Sequence, residues 1–249
     1  MPSNIIRDIE ERSLNAWPAF QTLHLGGWVL RFADGYTRRA NSVQPLYASS
    51  GDIEENITTC EQFYAQHDLP TIFKMTDAAQ PADLDSLLES RGYTREAETS
   101  VQTLDLSQHA VSQSPNVIID DHLRDIWARP FYELNGVAPF PITKMMKLLH
   151  RIVPQTGYIW LDHEGDTAAL GLGVYERGYL GIFDIVTDAN FRSQGFATQI
   201  VSSLLAWGMQ QGAETAYLQV MKNNPAALHL YQKLGFREVY SYWYRVQPE

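Results

Sequence analysis

Apolar positions along the chain switch repeatedly between a helical and a strand period, and the switches predict its elements. Residues 5–17 have helical spacing, with Asn4 or Ser3 as a cap and Trp17-Pro18 as the stop. Residues 27–33 read as a strand that turns at Asp34-Gly35, and 36–47 as a second strand. An amphipathic helix over 51–67 sets Ile53, Ile57, Cys60, Phe63 and Tyr64 on one face. A short strand follows at 71–75. Gln80-Pro81 opens a helix through Ser90 that Gly92 stops, and 93–106 is a long Thr- and Val-containing strand.

The polar, aperiodic stretch 106–115 reads as a linker between modules 1–107 and 115–249. Beyond it, 120–128 is helical. Residues 130–141 hold three prolines, a glycine and several aromatics, which predicts a loop or a broken helix, and the aromatic-rich stretch from Trp127 to Phe140 suggests a partly apolar cleft. An amphipathic helix at 143–153 leads to strands at 158–162 and 167–175, joined through His163-Glu164-Gly165-Asp166. A strand at 179–186 is followed by a helix from Thr198, a strand ending at Met221, a helix from Pro225 and a last strand, 237–246.

The chemistry concentrates where the strand at 179–186 meets the helix at Thr198. The connecting loop carries Arg192, Ser193, Gln194, Gly195, Phe196 and the small Ala197. The first turn of a helix has four unpaired N–H groups and the positive end of a dipole, and a phosphate or pyrophosphate satisfies both. Gly195 lets the backbone approach an anion with no Cβ between them. Arg192 and Gln194 add donors. A Walker A loop and a dinucleotide fingerprint are both absent.

Downstream lies Asn223-Asn224-Pro225-Ala226-Ala227, and then Tyr231-Gln232-Lys233-Leu234-Gly235-Phe236. With these residues the segment 180–246 resembles the core of the GCN5-related N-acetyltransferase (GNAT) superfamily. Arg192-x-x-Gly195-x-Ala197 is similar to that family's pyrophosphate loop, and Asn224-x-x-Ala227-x-x-x-Tyr231-x-x-x-Gly235-Phe236 to its second signature. The resemblance implies an α/β fold, a mixed sheet with helices on both faces. It also implies acetyl-CoA as cosubstrate, held by 192–198. Backbone groups of Ile185, Val186 and Thr187 would bind the pantetheine arm, one N–H facing the thioester oxygen. Asn224 would contact the cofactor, cap the helix at Pro225, or do both. Tyr231 would protonate the leaving sulfur, or would simply pack between helix and sheet.

Asp184 is an acid inside an apolar strand, and burying it unpaired is costly. Unbroken alternation would set it on one face with Ile182 and Val186, where it accepts the amine's proton, binds a cationic acceptor or pairs within the protein. Glu133 lies where the resembling family builds its acceptor site and is a second acidic candidate. No histidine has a partner at metal-ligand spacing, so no metal is expected.

The first half carries a weaker echo. Leu88-Glu89-Ser90-Arg91-Gly92-Tyr93 is similar to Tyr231 through Phe236, and the element order 36–106 parallels 179–246. It lacks the Arg-x-x-Gly-x-Ala loop and an equivalent of Tyr231. The expectation is a degenerate GNAT-like module without cofactor, completing the substrate cleft or an interface between two copies.

Composition narrows the partners. The chain is 45% hydrophobic and 19% charged, with a net charge of −10. No basic stripe suggests nucleic acid, and a diffuse negative field favours a cationic acceptor such as an amine. The single Cys60 excludes an intrachain disulfide. No signal-like start and no apolar run near 18 residues is present, which gives a cytoplasmic protein without a membrane span as the expectation. Together these readings point to an N-acetyltransferase acting on a small primary amine. A non-catalytic acyl-CoA-binding or interaction module is the alternative.

Overall fold

The computed structural model describes residues 3–107, 109, 112–135 and 140–248. In chain order these form α1 (Ser3–Ala16), β1 (Gln21–Leu25), β2 (Trp28–Phe32), β3 (Val43–Gln44), α2 (Ile53–Ala65), β4 (Ile72–Thr76), α3 (Leu84–Ser90) and β5 (Thr94–Asp105). Then follow β6 (Val117–Asp120), α4 (Asp125–Leu134), α5 (Ile142–Leu149), β7 (Gln155–His163), β8 (Asp166–Glu176) and β9 (Tyr179–Thr187). The chain ends with α6 (Phe196–Gln210), β10 (Thr215–Met221), α7 (Pro225–Lys233) and β11 (Arg237–Val246). The result is the mixed α/β fold expected from the sequence: β3/β4 and β9/β10 pair in parallel, while β8/β9, β7/β8 and β6/β7 are antiparallel.

The chain divides into two compact units, Met1–Val101 with Val220–Pro225 and Glu238–Glu249, and Gln102–Gln219 with Ala226–Arg237. In the first, strands run in the order β1-β2-β3-β4-β11, followed by the first part of β5. Its core gathers Trp28, Leu30, Val43, Ile57, Cys60, Tyr64, Phe73, Met75, Leu84, Leu88 and Tyr93. Burial pushes the Cys60 thiol up to about 12, so it stays protonated and unreactive. A buried ion pair joins Lys74 Nζ to Glu10 Oε2 at 2.5 Å, and the Tyr240 hydroxyl donates to Glu10 Oε1 at 2.8 Å. Both oxygens of this fully buried carboxylate are therefore satisfied, as a buried charge requires.

In the second unit the order is β10-β9-β8-β7-β6, with the last part of β5 on the far side of β10. One face is covered by α6, whose Ile200, Val201, Leu204 and Leu205 are buried. Tyr158, of opposite parity to Ile159 on β7, turns to the other face and meets Trp127 of α4 edge-on at 5.1 Å.

Several elements differ from the sequence expectation. The strand expected over 36–47 is reduced to Val43–Gln44. Ahead of it the Asn41 side chain accepts from the N–H of Ala33 and Gly35 and donates to the Thr37 carbonyl, which fixes a turn. Strand β1 went unpredicted because four of its five residues are exposed and show no alternation. Residues 117–120 form β6, so the helix expected from 120 begins at Asp125. That helix continues through Pro130 to Leu134. Proline removes the bond to the carbonyl four residues back, here at the exposed Ile126. The remainder of the expected proline-rich loop, 136–139, lies outside the described residues, as do 108, 110 and 111 of the expected linker.

Candidate active site

Strand β9 departs from regular pairing where the acid stands. Its parallel register with β10 runs from Thr215↔Tyr179 to Leu218↔Ile182. On its other side Leu172 faces Phe183 and Leu170 faces Val186, so Asp184 and Ile185 together oppose Gly171. This is a β-bulge, and Asp184 takes φ +53° to make it. The bulge slips the alternation by one residue. Leu180 packs on Gly208 of α6, and Ile185, of opposite parity, lies against the same helix beside Ile200. The expectation that Asp184 shares a face with Ile182 and Val186 assumed an unbroken strand and is corrected by this bulge.

Past Thr187 the chain enters the loop. Asp188 accepts from the Asn190 N–H at 2.7 Å and caps a single 3-10 turn, Ala189–Phe191. Arg192, Ser193, Gln194 and Gly195 are all exposed. Gly195 has φ +81° and is the N-cap of α6, a left-handed conformation that favours glycine. The helix starts at Phe196, two residues before the expected Thr198. Hence the N–H groups of Phe196, Ala197 and Thr198 fall in the first turn, where no intrahelical acceptor exists. That turn carries no acidic residue. A Cβ on Gly195 would meet nothing within 4 Å, so the space before these donors is open. Donors, dipole and space suit an anionic group such as a pyrophosphate.

Tyr231 is 8% exposed on α7, with its ring 5.9 Å from that of Phe236. Burial, and then the negative charge of Asp184, push its phenol up to about 12. The strand that leads into the loop therefore also carries a charge that adds to the effect of burial on Tyr231.

A family model described as "Probable histone acetyltransferase Rv0428c C-terminal" matches residues 3–245. The "Uncharacterized N-acetyltransferase YobR" of Bacillus subtilis (strain 168) is 31% identical over 254 residues, covering 97% of this chain and 98% of that protein. The chain belongs to this family of GCN5-related N-acetyltransferases. "Probable histone acetyltransferase Rv0428c" of Mycobacterium tuberculosis is 26% identical, over 93% of this chain and 70% of that protein. Among solved structures, a GCN5-related N-acetyltransferase from Kribbella flavida superposes with a TM-score of 0.70 at 16% identity, covering 100% of this chain and 96% of that one. A tandem GNAT protein from the clavulanic acid biosynthesis pathway gives 0.66 at 13% identity, covering 97% and 88%. These two likenesses concern the GNAT fold.

The remaining GNAT site candidates fall as follows. Asn224 is exposed at the residue before α7, the N-cap position, and its N–H donates to the Met221 carbonyl at 3.0 Å. Glu133 is exposed in the last turn of α4. Trp127, expected to border a cleft, is instead fully buried. His229 and His150 are exposed, and the side chain of His163 is 39% exposed and touches two aromatic rings. The bulge at Asp184 and the surroundings of His163 escaped sequence reasoning. Gly171, a glycine inside the neighbouring strand, was the available sign of the bulge.

Asp120, Asp121 and His122 bring three potential metal-ligand atoms within 4.8 Å of one another, which corrects the expectation that no histidine has such partners. Asp121 and His122 are exposed, and Asp120 is already paired with Arg124.

The first unit has its own strand–loop–helix passage from β3 to α2, and its electrostatics are opposite. The Asp52 side chain accepts from the Glu55 N–H at 3.0 Å, and Glu54 and Glu55 occupy the first turn of α2. These carboxylates take the place an anion would use. The preceding loop is tied down as well, because Ser50 donates to the Gly26 carbonyl and accepts from Asn56 Nδ2. No helix of the described residues is long and apolar enough to cross a membrane.

Proposed function

We propose that this GNAT protein transfers an acetyl group from acetyl-CoA to the primary amine of a small acceptor. The observation that carries the reading is the continuity of β9: its bulged segment holds Asp184 and runs directly into the Gly195-capped N-terminus of α6. In this reading the N–H groups of Phe196, Ala197 and Thr198 hold the pyrophosphate. Arg192, Ser193 and Gln194 add donors from the loop. Backbone groups of Ile185, Val186 and Thr187 lie beyond the β10 register and bind the pantetheine arm, one N–H serving the thioester oxygen. Asn224 adds a contact to the cosubstrate.

The acceptor amine must be neutral when it attacks. Asp184 takes its proton, directly or through one water, and Glu133 contributes to holding a cationic acceptor before that step. The new C–N bond forms at the thioester carbonyl as the C–S bond breaks. Tyr231 gives its phenolic proton to the departing sulfur, and its raised pKa keeps that proton available at neutral pH. Holding both reactants in line supplies much of the acceleration.

The first half is a degenerate GNAT-like module in this reading. It holds no acyl-CoA, because its own carboxylates fill the corresponding helix start. Its role in this reading is structural.

The test follows free thiol release from acetyl-CoA with a panel of small amines, for wild type and Tyr231→Phe. Amine-dependent release that falls at least tenfold in the variant, at unchanged acetyl-CoA affinity, supports the reading. Equal release by both proteins removes Tyr231 from the mechanism.

A further inference from the structure

Three aromatic rings meet at the base of the anion loop. The His163 ring lies 5.0 Å from Phe196, tilted by 50°, and 5.4 Å from Phe191 at 90°. Phe191 and Phe196 are themselves 6.4 Å apart at 73°. Each ring touches the other two, and all three are only partly exposed. Phe191 is the last residue before the four exposed loop residues Arg192–Gly195, and Phe196 is the first residue after them. His163 comes from the end of β7, distant in sequence, and clasps both ends of the loop at once.

The loop between them is conformationally demanding. Ser193 has φ +63° and Gly195 φ +81°. A left-handed conformation is disfavoured for a non-glycine residue, so a loop free at its ends would relax and scatter the first-turn N–H groups. Donors aimed in advance bind an anion better than donors ordered on binding.

We propose that His163 is a positioning residue for the phosphate-binding loop: its ring, packed on Phe191 and Phe196, holds the N-terminus of α6 ready for the pyrophosphate of the acyl donor. The proposal rests on the function assigned to the Arg192–Thr198 segment. The two rings packed on it are phenyl groups and the Glu164 carboxylate stands at 3.9 Å from Nε2, at the edge of contact, so the role belongs to the ring as a packing body. An aromatic pair contributes about enough to change binding a few-fold to tenfold, and His163 makes two.

The experiment is calorimetric titration of acetyl-CoA into wild type, His163→Ala, His163→Phe, Phe191→Leu and Gly195→Glu, with thermal unfolding of each. His163→Ala should weaken binding by about fivefold or more with its melting temperature nearly unchanged. His163→Phe should restore affinity to within about twofold. Phe191→Leu keeps apolar volume while removing one ring, and should weaken binding in the same direction even if His163→Ala fails to fold.

Wild-type affinity in both His163→Ala and Phe191→Leu, with binding abolished by Gly195→Glu, would overturn this proposal and leave the functional reading standing. Equal weakening by His163→Phe and His163→Ala would also overturn it, because the imidazole nitrogens would then be the active element. Binding retained by Gly195→Glu would remove the functional reading, and this proposal with it.

Discussion

The indole N–H of Trp127 donates to the carbonyl of Gly171 at 3.0 Å and to that of Ile159 at 3.1 Å. Gly171 is the residue that the Asp184–Ile185 bulge leaves without a registered partner in β9. On the opposite face, a Cβ at Gly171 would come within 2.4 Å of Ile185 Cδ1. The strand beside the bulge is thus held by a hydrogen-bonded tryptophan from one side and by a close isoleucine from the other.

Trp127→Phe keeps a buried ring and removes the donor. The expected cost is at least about 1 kcal/mol, because two buried carbonyls lose their shared donor, read as a shift of the urea midpoint at constant slope. Gly171→Ala should cost more, about 1–3 kcal/mol, because the added methyl must displace Ile185 or the bulge itself. It should also lower acetyl transfer. A Gly171→Ala protein of wild-type stability and rate would show that the bulge does not depend on this close approach.

How much of this was legible in the sequence depends on the range of the interaction. The loop at Arg192–Ala197 and Tyr231 stood out because their motifs are local, and from β7 onward the element order could be followed strand by strand, whereas β6 was missed. The bulge was not legible, since Asp184 and Ile185 are alternating strand residues until Gly171 of another strand is paired with them. Pro130 was taken for a helix breaker, yet the carbonyl it leaves unbonded is on the exposed side of α4. The grouping of 238–249 with the first 101 residues follows from the antiparallel pairing of β11 with β4, a contact across more than half the chain.

Alkaline pH should weaken the fold. Burial pushes Tyr158, Tyr231 and Cys60 up to about 12, and raises Tyr64 and Tyr93 as well. The folded state holds these protons more tightly than the unfolded chain. Their contribution is complete below the unfolded values, near 9 for the thiol and 10 for the phenols, and is lost as pH rises toward 12. Melting temperatures recorded between pH 8 and pH 11 should fall progressively above about pH 9. A flat profile would contradict the burial of these groups.

Acid sensitivity should come in part from Asp85. Arg245 binds it with Nε to Oδ1 at 2.9 Å and Nη2 to Oδ2 at 2.7 Å, and the Trp243 indole N–H donates at 2.6 Å. These bonds, Arg245 first, hold its carboxyl below the usual range. The stabilisation is present above the ordinary carboxylate value near 4 and is lost as pH falls through the lowered one. Asp85→Asn should cost about 1–2 kcal/mol at pH 7, moderated by partial exposure. It should also flatten stability against pH between about 5 and 2. An unchanged acid profile would assign that sensitivity elsewhere.

At the loop, Gly195→Ala should be mild and Gly195→Glu severe. Alanine meets open space and carries only the left-handed strain of about 1–2 kcal/mol. Glutamate sets a negative charge where an anion is proposed to bind. The most direct measurement of the central claim is a calorimetric titration of acetyl-CoA into the wild-type protein and into Gly195→Glu. Saturable binding at one site per chain, lost in the variant, is the expected result. Absence of binding to the folded wild type, or equal binding by both proteins, would contradict it.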